Sequence, residues 1–151
     1  MKTILCKALA FLNTLRDLPP LAFRLILAYG FYQTGKMKWS NIQGVAEWFG
    51  NDLHIPFPLV NAYMAATTEV VGVGLLILGL ATRFISLPLM FVMIVAIATV
   101  HWKNGFSCGD NGFEIPFYFF FMLLSLVVGG AGRISVDQLI KLRAGSCGDK
   151  K

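Results

Sequence analysis

Residues 65–83 read AATTEVVGVGLLILGLATR, a run of small and apolar residues that holds one carboxylate, Glu69, and ends at Arg83. An α-helix rises about 1.5 Å per residue, so about 20 such residues cross a hydrocarbon core of about 30 Å. The run is therefore read as most of a membrane span, and the isolated charge inside it calls for a partner.

The rest of the chain agrees with that reading. Its 151 residues are 56% hydrophobic and 14% charged, with a mean hydropathy of +0.67. Soluble domains carry about 25% charged residues. Working outward from Glu69, four apolar segments stand out at about 20–38, 58–80, 84–102 and 115–132. Pro19, Pro20, Pro56, Pro58 and Pro116 sit at their N-terminal ends, where a missing N–H has no intrahelical partner to lose. Pro88 lies deeper and is expected to bend the third helix. A backbone facing lipid must satisfy its own hydrogen bonds, and the alternation of barrel strands is absent, so the segments are helical. The expectation is an all-α, four-transmembrane-helix bundle with short amphipathic flanking helices. Residues 1–19 form an interfacial segment, 20–140 the membrane domain and 141–151 a polar tail.

The connections set the topology. Only Ala81, Thr82 and Arg83 join the second and third segments, which forces an antiparallel hairpin. Four spans put both termini on the side of Arg83, and that side carries ten of the thirteen basic residues. The excess of Lys and Arg predicts that both termini of this multi-pass protein are cytoplasmic. Trp39, Trp48 and Trp102 fall at the outer ends, as an interfacial aromatic belt requires. The net charge of +5 is used by this asymmetry, and no basic patch interleaves with aromatics, so nucleic acid is excluded as a partner. Lys7 interrupts the first apolar stretch and no small-residue cleavage site follows, so the N-terminus is read as part of the mature chain. Cys6, Cys108 and Cys147 are too scattered for a disulfide framework or a zinc site, and no metal site is predicted.

Glu69 lies about 16 Å from either end of its helix. An unpaired carboxylate at that depth costs several kcal/mol, so it must face the bundle and find donors. Tyr29 and Gln33, four residues apart on one face of the first helix, are level with it. Arg24 lies about 10 Å lower and about 140–180° around that helix, so Glu69 satisfies one set and not both. Electrostatics favours an Arg24–Glu69 pair, because a buried arginine also needs a counterion. The plainer alternative is a hydrogen bond that only glues helices together. A second polar group collects at the outer end: Lys38, His101, Cys108, Asp110 and Glu114, with Lys36, His54 and Lys103 nearby. The loop 103–114 can bring His101 to Glu114, where an imidazole and a carboxylate could relay protons or hold a quinone head group. Cys108 is a candidate reactive thiol, and an ordinary hydrated loop is the bland alternative.

Arg24 followed by Gly30 and Gly35-x-x-Lys38, then Glu69 with Gly72, Gly74, Gly79 and Thr82-Arg83, and finally Glu114 and Gly130-Ala131-Gly132-Arg133-Ile134-Ser135-Val136-Asp137 resemble the DoxX family of small bacterial membrane proteins. The resemblance spans about residues 20–140. It implies a four-helix inner-membrane protein associated with redox or thiol-stress complexes, the family being named after a subunit linked to a thiosulfate:quinone oxidoreductase. No haem, flavin or iron–sulfur motif is present. The leading functional expectation is thus a membrane subunit of a quinone- or thiol-linked redox system, with a quinone between the helices, a protein partner for the electron chemistry and membrane lipid around it. Two alternatives come from other classes. One is a small-molecule or ion transporter in which Glu69 titrates, which would need a homo-oligomer. The other is a non-catalytic scaffold for a partner enzyme.

Overall fold

The computed structural model describes residues 15–148, and among them every regular element is helical. A 3-10 turn at Leu15–Asp17 leads into α1 (Leu18–Ser40). A short α2 (Ile42–Asn51) and a loop bring the chain to α3 (Pro58–Leu78) and α4 (Thr82–Ala96). The third long helix continues past α4 as a π-helical turn, Ile97–His101, and a 3-10 turn, Trp102–Asn104. After a last 3-10 turn at Cys108–Asp110 come α5 (Glu114–Gly129) and α6 (Val136–Gly148). The interfacial segment expected over residues 1–19 lies mostly outside the described residues. The boundary expected at residue 140 falls inside α6.

Each long helix buries one stripe. In α1 it is Arg24, Leu27, Ala28, Phe31 and Gly35; in α3, Ala62, Ala66, Glu69, Gly72 and Leu76; in α4, Thr82, Ser86, Leu89 and Met93. These three- and four-residue spacings are those of one helix face. Leu27, Phe31, Leu76, Leu89, Leu123 and Leu126 form the main core. A smaller core holds α2 against α3 through Ala46, Phe49 and Ala62. The sequence alone predicts a loop over residues 39–57, and α2 lies within it. Asn41 caps it by accepting from the Gly44 N–H, and ten residues are enough to bury Phe49.

Pro58–Leu78 and Thr82–Asn104, 21 and 23 residues long, are long and apolar enough to cross a membrane. The apolar α5 has 16 residues. The 23-residue α1 carries Arg24, Lys36 and Lys38. The hairpin between α3 and α4 is tight, as expected. Gly79 closes α3 in a left-handed conformation (φ 66°), with Gly79 N–H to Leu76 O and Leu80 N–H to Leu75 O. That pair of bonds is a Schellman cap.

Candidate functional site

Two polar centres occupy the bundle, one at each end of the α1–α3 contact. The lower one is Arg24, only 2% exposed. Its Nε donates to Leu76 O (2.7 Å) and its Nη2 to Ile77 O (2.8 Å), while Nη1 donates to Ala131 O (2.9 Å) and Ile134 O (2.7 Å). Leu76 and Ile77 lie in the last turn of α3, where carbonyls lack intrahelical donors and the helix dipole is negative. The guanidinium thus ties α1, the end of α3 and the loop 130–135 together without any carboxylate. Around it, Asp137 accepts from Ala81 N–H (2.8 Å) and Thr82 N–H (3.1 Å) at the start of α4. Ser135 Oγ accepts from the Gln138 N–H at 3.3 Å, an N-capping contact at the start of α6.

The upper centre is Glu69, 1% exposed. Its Oε1 is ion-paired with Lys38 Nζ, and its Oε2 accepts from Thr34 Oγ1 at 2.9 Å. Helix α1 can come this close because residue 35 is glycine. A Cβ there would stand 3.3 Å from Glu69 Cβ and 3.2 Å from Val70 Cγ2. The expected Arg24–Glu69 pair is therefore corrected: the two groups keep separate partners. Tyr29 and Gln33 do not support Glu69 either. Tyr29 is 69% exposed and Gln33 is also exposed, both on the outward face of α1. Lys38, expected in the outer cluster, is instead the counterion of the internal carboxylate.

A cavity of about 660 Å³ opens beside this pair. Phe31, Phe91, Met64, Met93 and Phe119 make its apolar walls, and Trp48, Phe49, Leu53 and Ile55 from α2 and its following loop bound it at the outer end. Lys38, Thr34, Glu69, Thr99, His101, Cys108 and Asn111 supply polar groups. Residues 61–69 of α3 and 88–101 of α4 and its π-turn line it, and exposed Phe91 and Met64 edge it on the bundle's outer surface. The π-helical turn at Ile97–His101 brings Thr99 and His101 to the wall. Single π-turns of this kind recur at functional sites.

Of the expected outer cluster, Lys38, His101 and Cys108 line the cavity, whereas Asp110 and Glu114 do not. His101 Nδ1 is 2.7 Å from Asn111 O. Glu114 accepts from the Cys108 N–H (3.0 Å) and from Tyr118 Oη (3.1 Å). Each group thus braces the 103–114 loop, and no hydrogen bond joins His101 to Glu114 among the described residues. Asp110 stands exposed in the same turn, and the Cys108 thiol is free and exposed. Sequence reasoning missed Thr34 and the contribution of α2. Thr34 was legible in principle, lying four residues before Lys38 and hence on its face.

Comparison with known proteins finds similar chains in two bacteria. An uncharacterized protein of Haemophilus influenzae is 34% identical over 128 residues, covering 80% of this chain and 82% of its own. The "Putative oxidoreductase CatD" of Bacillus subtilis is 26% identical over 129 residues, covering 85% of this chain and 92% of its own. No solved structure matches significantly. The DoxX family model matches residues 20–102, which hold both Arg24 and the Lys38–Glu69 pair, and the chain belongs to the DoxX family.

Proposed function

We propose that this protein is the membrane subunit of a redox system and binds an apolar ligand with a carbonyl or hydroxyl head, of which a quinone is the fitting class. The observation that carries the reading is a buried ion pair at the wall of an apolar cavity. Its volume of about 660 Å³ falls within the usual range of about 300–1,000 Å³ for small-molecule sites. The chemistry of the wall suits such a head group. Lys38 offers donors to a carbonyl, Glu69 offers an acceptor to a hydroxyl, and Phe31, Phe91 and Phe119 offer faces to a ring. A bound quinone would supply the electron-carrying chemistry. The chain's own part is to orient the head and keep water from it. The name of the Bacillus subtilis relative agrees with a redox setting.

In this reading α1 and α5 also cross the bilayer, giving four spans in the inner membrane with both termini cytoplasmic. Two features support it: the ten-to-three distribution of basic residues and the apolar outward faces of these helices. Leu25 and Ile26 on α1, and Phe121 and Val128 on α5, are about half exposed or more, which suits lipid better than water.

The test is quinone retention through purification in a mild detergent, followed by quinone titration monitored by tryptophan fluorescence, since Trp48 edges the cavity. The wild-type chain should bind, and Glu69→Gln should weaken binding roughly tenfold, the loss of about one charge-assisted hydrogen bond. Absence of binding by the wild type would overturn the reading. Equal affinity of the variant would remove Glu69 from the site. A pH-dependent flux through proteoliposomes that Glu69→Gln abolishes would favour the transport alternative.

A further inference from the structure

At the end of the bundle away from the Lys38–Glu69 pair, a second cavity of about 510 Å³ lies between the α3–α4 turn, the Gly129–Ser135 loop and the Arg16–Asp17 turn. Four basic side chains line it: Arg16, Arg83, Arg133 and Lys141. Its two carboxylates are already engaged. Asp137 accepts from the Ala81 and Thr82 N–H groups. Asp17 accepts from the Arg133 N–H at 3.0 Å, with Arg133 Nε at 3.7 Å. Four cations against two carboxylates leave an excess of two positive charges around one concavity.

One of these cations is held in place. Arg83 Nη2 donates to Val128 O at 3.1 Å, and its guanidinium lies across Gly130, where a Cβ would stand 3.2 Å from Nε. Gly130 (φ 80°) and Gly132 (φ 78°) both take left-handed conformations that let the loop bend around the cavity. A planar guanidinium fixed by one of its N–H groups keeps others directed outward, a geometry suited to the oxygens of a phosphate. The surroundings are apolar. Phe84, 77% exposed, and Leu80 line the cavity, and Val128, 73% exposed, continues the apolar surface along α5.

We propose that this cavity binds the phosphate of an anionic phospholipid, with its head between Arg83, Arg133 and Lys141 and its chains along Phe84 and Val128. The site is separate from the Lys38–Glu69 cavity and does not rest on the redox reading. A soluble phosphate would meet the same cations but would leave the apolar flank unused, and that difference separates the two sources.

The test uses the full chain in a neutral detergent and compares phosphatidylglycerol, phosphatidylcholine and inorganic phosphate by native mass spectrometry and thermal unfolding. Phosphatidylglycerol should be retained selectively and raise the unfolding temperature. Arg133→Gln with Lys141→Gln should weaken its binding roughly 30-fold, each basic residue near an anionic head contributing about a factor of five. Lys141→Gln alone, a milder change in case the double variant folds poorly, should weaken it roughly fivefold. Arg143→Gln removes the same charge from α6 outside the cavity wall and should leave binding nearly unchanged. Equal stabilisation by inorganic phosphate would overturn the lipid and assign the site to a soluble anion. Equal retention of phosphatidylcholine, or an Arg143→Gln loss as large as that of Lys141→Gln, would overturn the site itself.

Discussion

Glu69 and Arg24 are both buried, and their separate partner sets give separable consequences. Removing the Glu69 charge leaves Lys38, with 16% of its side chain exposed, facing an apolar cavity. Glu69→Gln or Lys38→Met alone should each cost about 2–3 kcal/mol, because a lone charge is left at a nearly dry site. The double variant should cost less than the sum by at least about 1 kcal/mol. Unfolding of the four proteins in detergent measures that coupling, and strict additivity would count against the pair. Arg24 answers to carbonyls instead. Arg24→Lys keeps the charge but cannot reach four oxygens in a fork, so it should still lose about 2–3 kcal/mol. Gly79 is bound to the same arrangement. A Cβ there would meet Arg24 Cζ and Ser135 Cβ, both at 2.7 Å, in a left-handed backbone. Gly79→Ala should therefore destabilise by about 2–4 kcal/mol, and a variant as stable as wild type would contradict the close packing.

Among the elements, α6 is tied to the hairpin mainly by Asp137, whose carboxylate caps α4 while its own N–H donates to Gly79 O at 3.1 Å. Asp137→Ala should cost about 1–2 kcal/mol, as loss of an N-cap does. The loss should appear as faster hydrogen exchange in α6 and the first turn of α4, with α1 little changed. Uniform acceleration across all helices would mean that α6 is no separate unit. The element that the sequence concealed is α2. Its apolar residues, Ile42, Val45, Ala46 and Phe49, are too few for a span, and the same pattern suits an outer loop. Contact with Ala62 of α3 decides the matter, and that contact is not encoded within residues 42–51.

For the whole molecule, the proposed four-span topology makes a direct prediction. In a Cys6→Ser, Cys147→Ser background, the exposed Cys108 thiol should react with a membrane-impermeant maleimide added to intact cells. A cysteine introduced as Arg83→Cys should react only after lysis. Labelling of both positions, or of neither, in intact cells would refute an arrangement with the Arg83 turn inside and the 103–114 loop outside.

Composition, hydropathy and the spacing of prolines were sufficient to predict helices, the α3–α4 hairpin and a buried role for Glu69, because each depends on local period or on the cost of a charge in an apolar medium. The identity of its partner was partly legible. Lys38 lies fourteen residues after Arg24, nearly four helical turns, so it shares Arg24's inward face, whereas Tyr29 and Gln33 lie opposite it. What the sequence could not decide was which carbonyls would satisfy Arg24. That depended on where α3 ends and where the 130–135 loop returns, and open carbonyls carry no mark in a side-chain alphabet. The cavity, too, is assembled from all five of the helices α1 to α5. Residues up to 88 positions apart, Phe31 and Phe119, meet at its wall by packing alone.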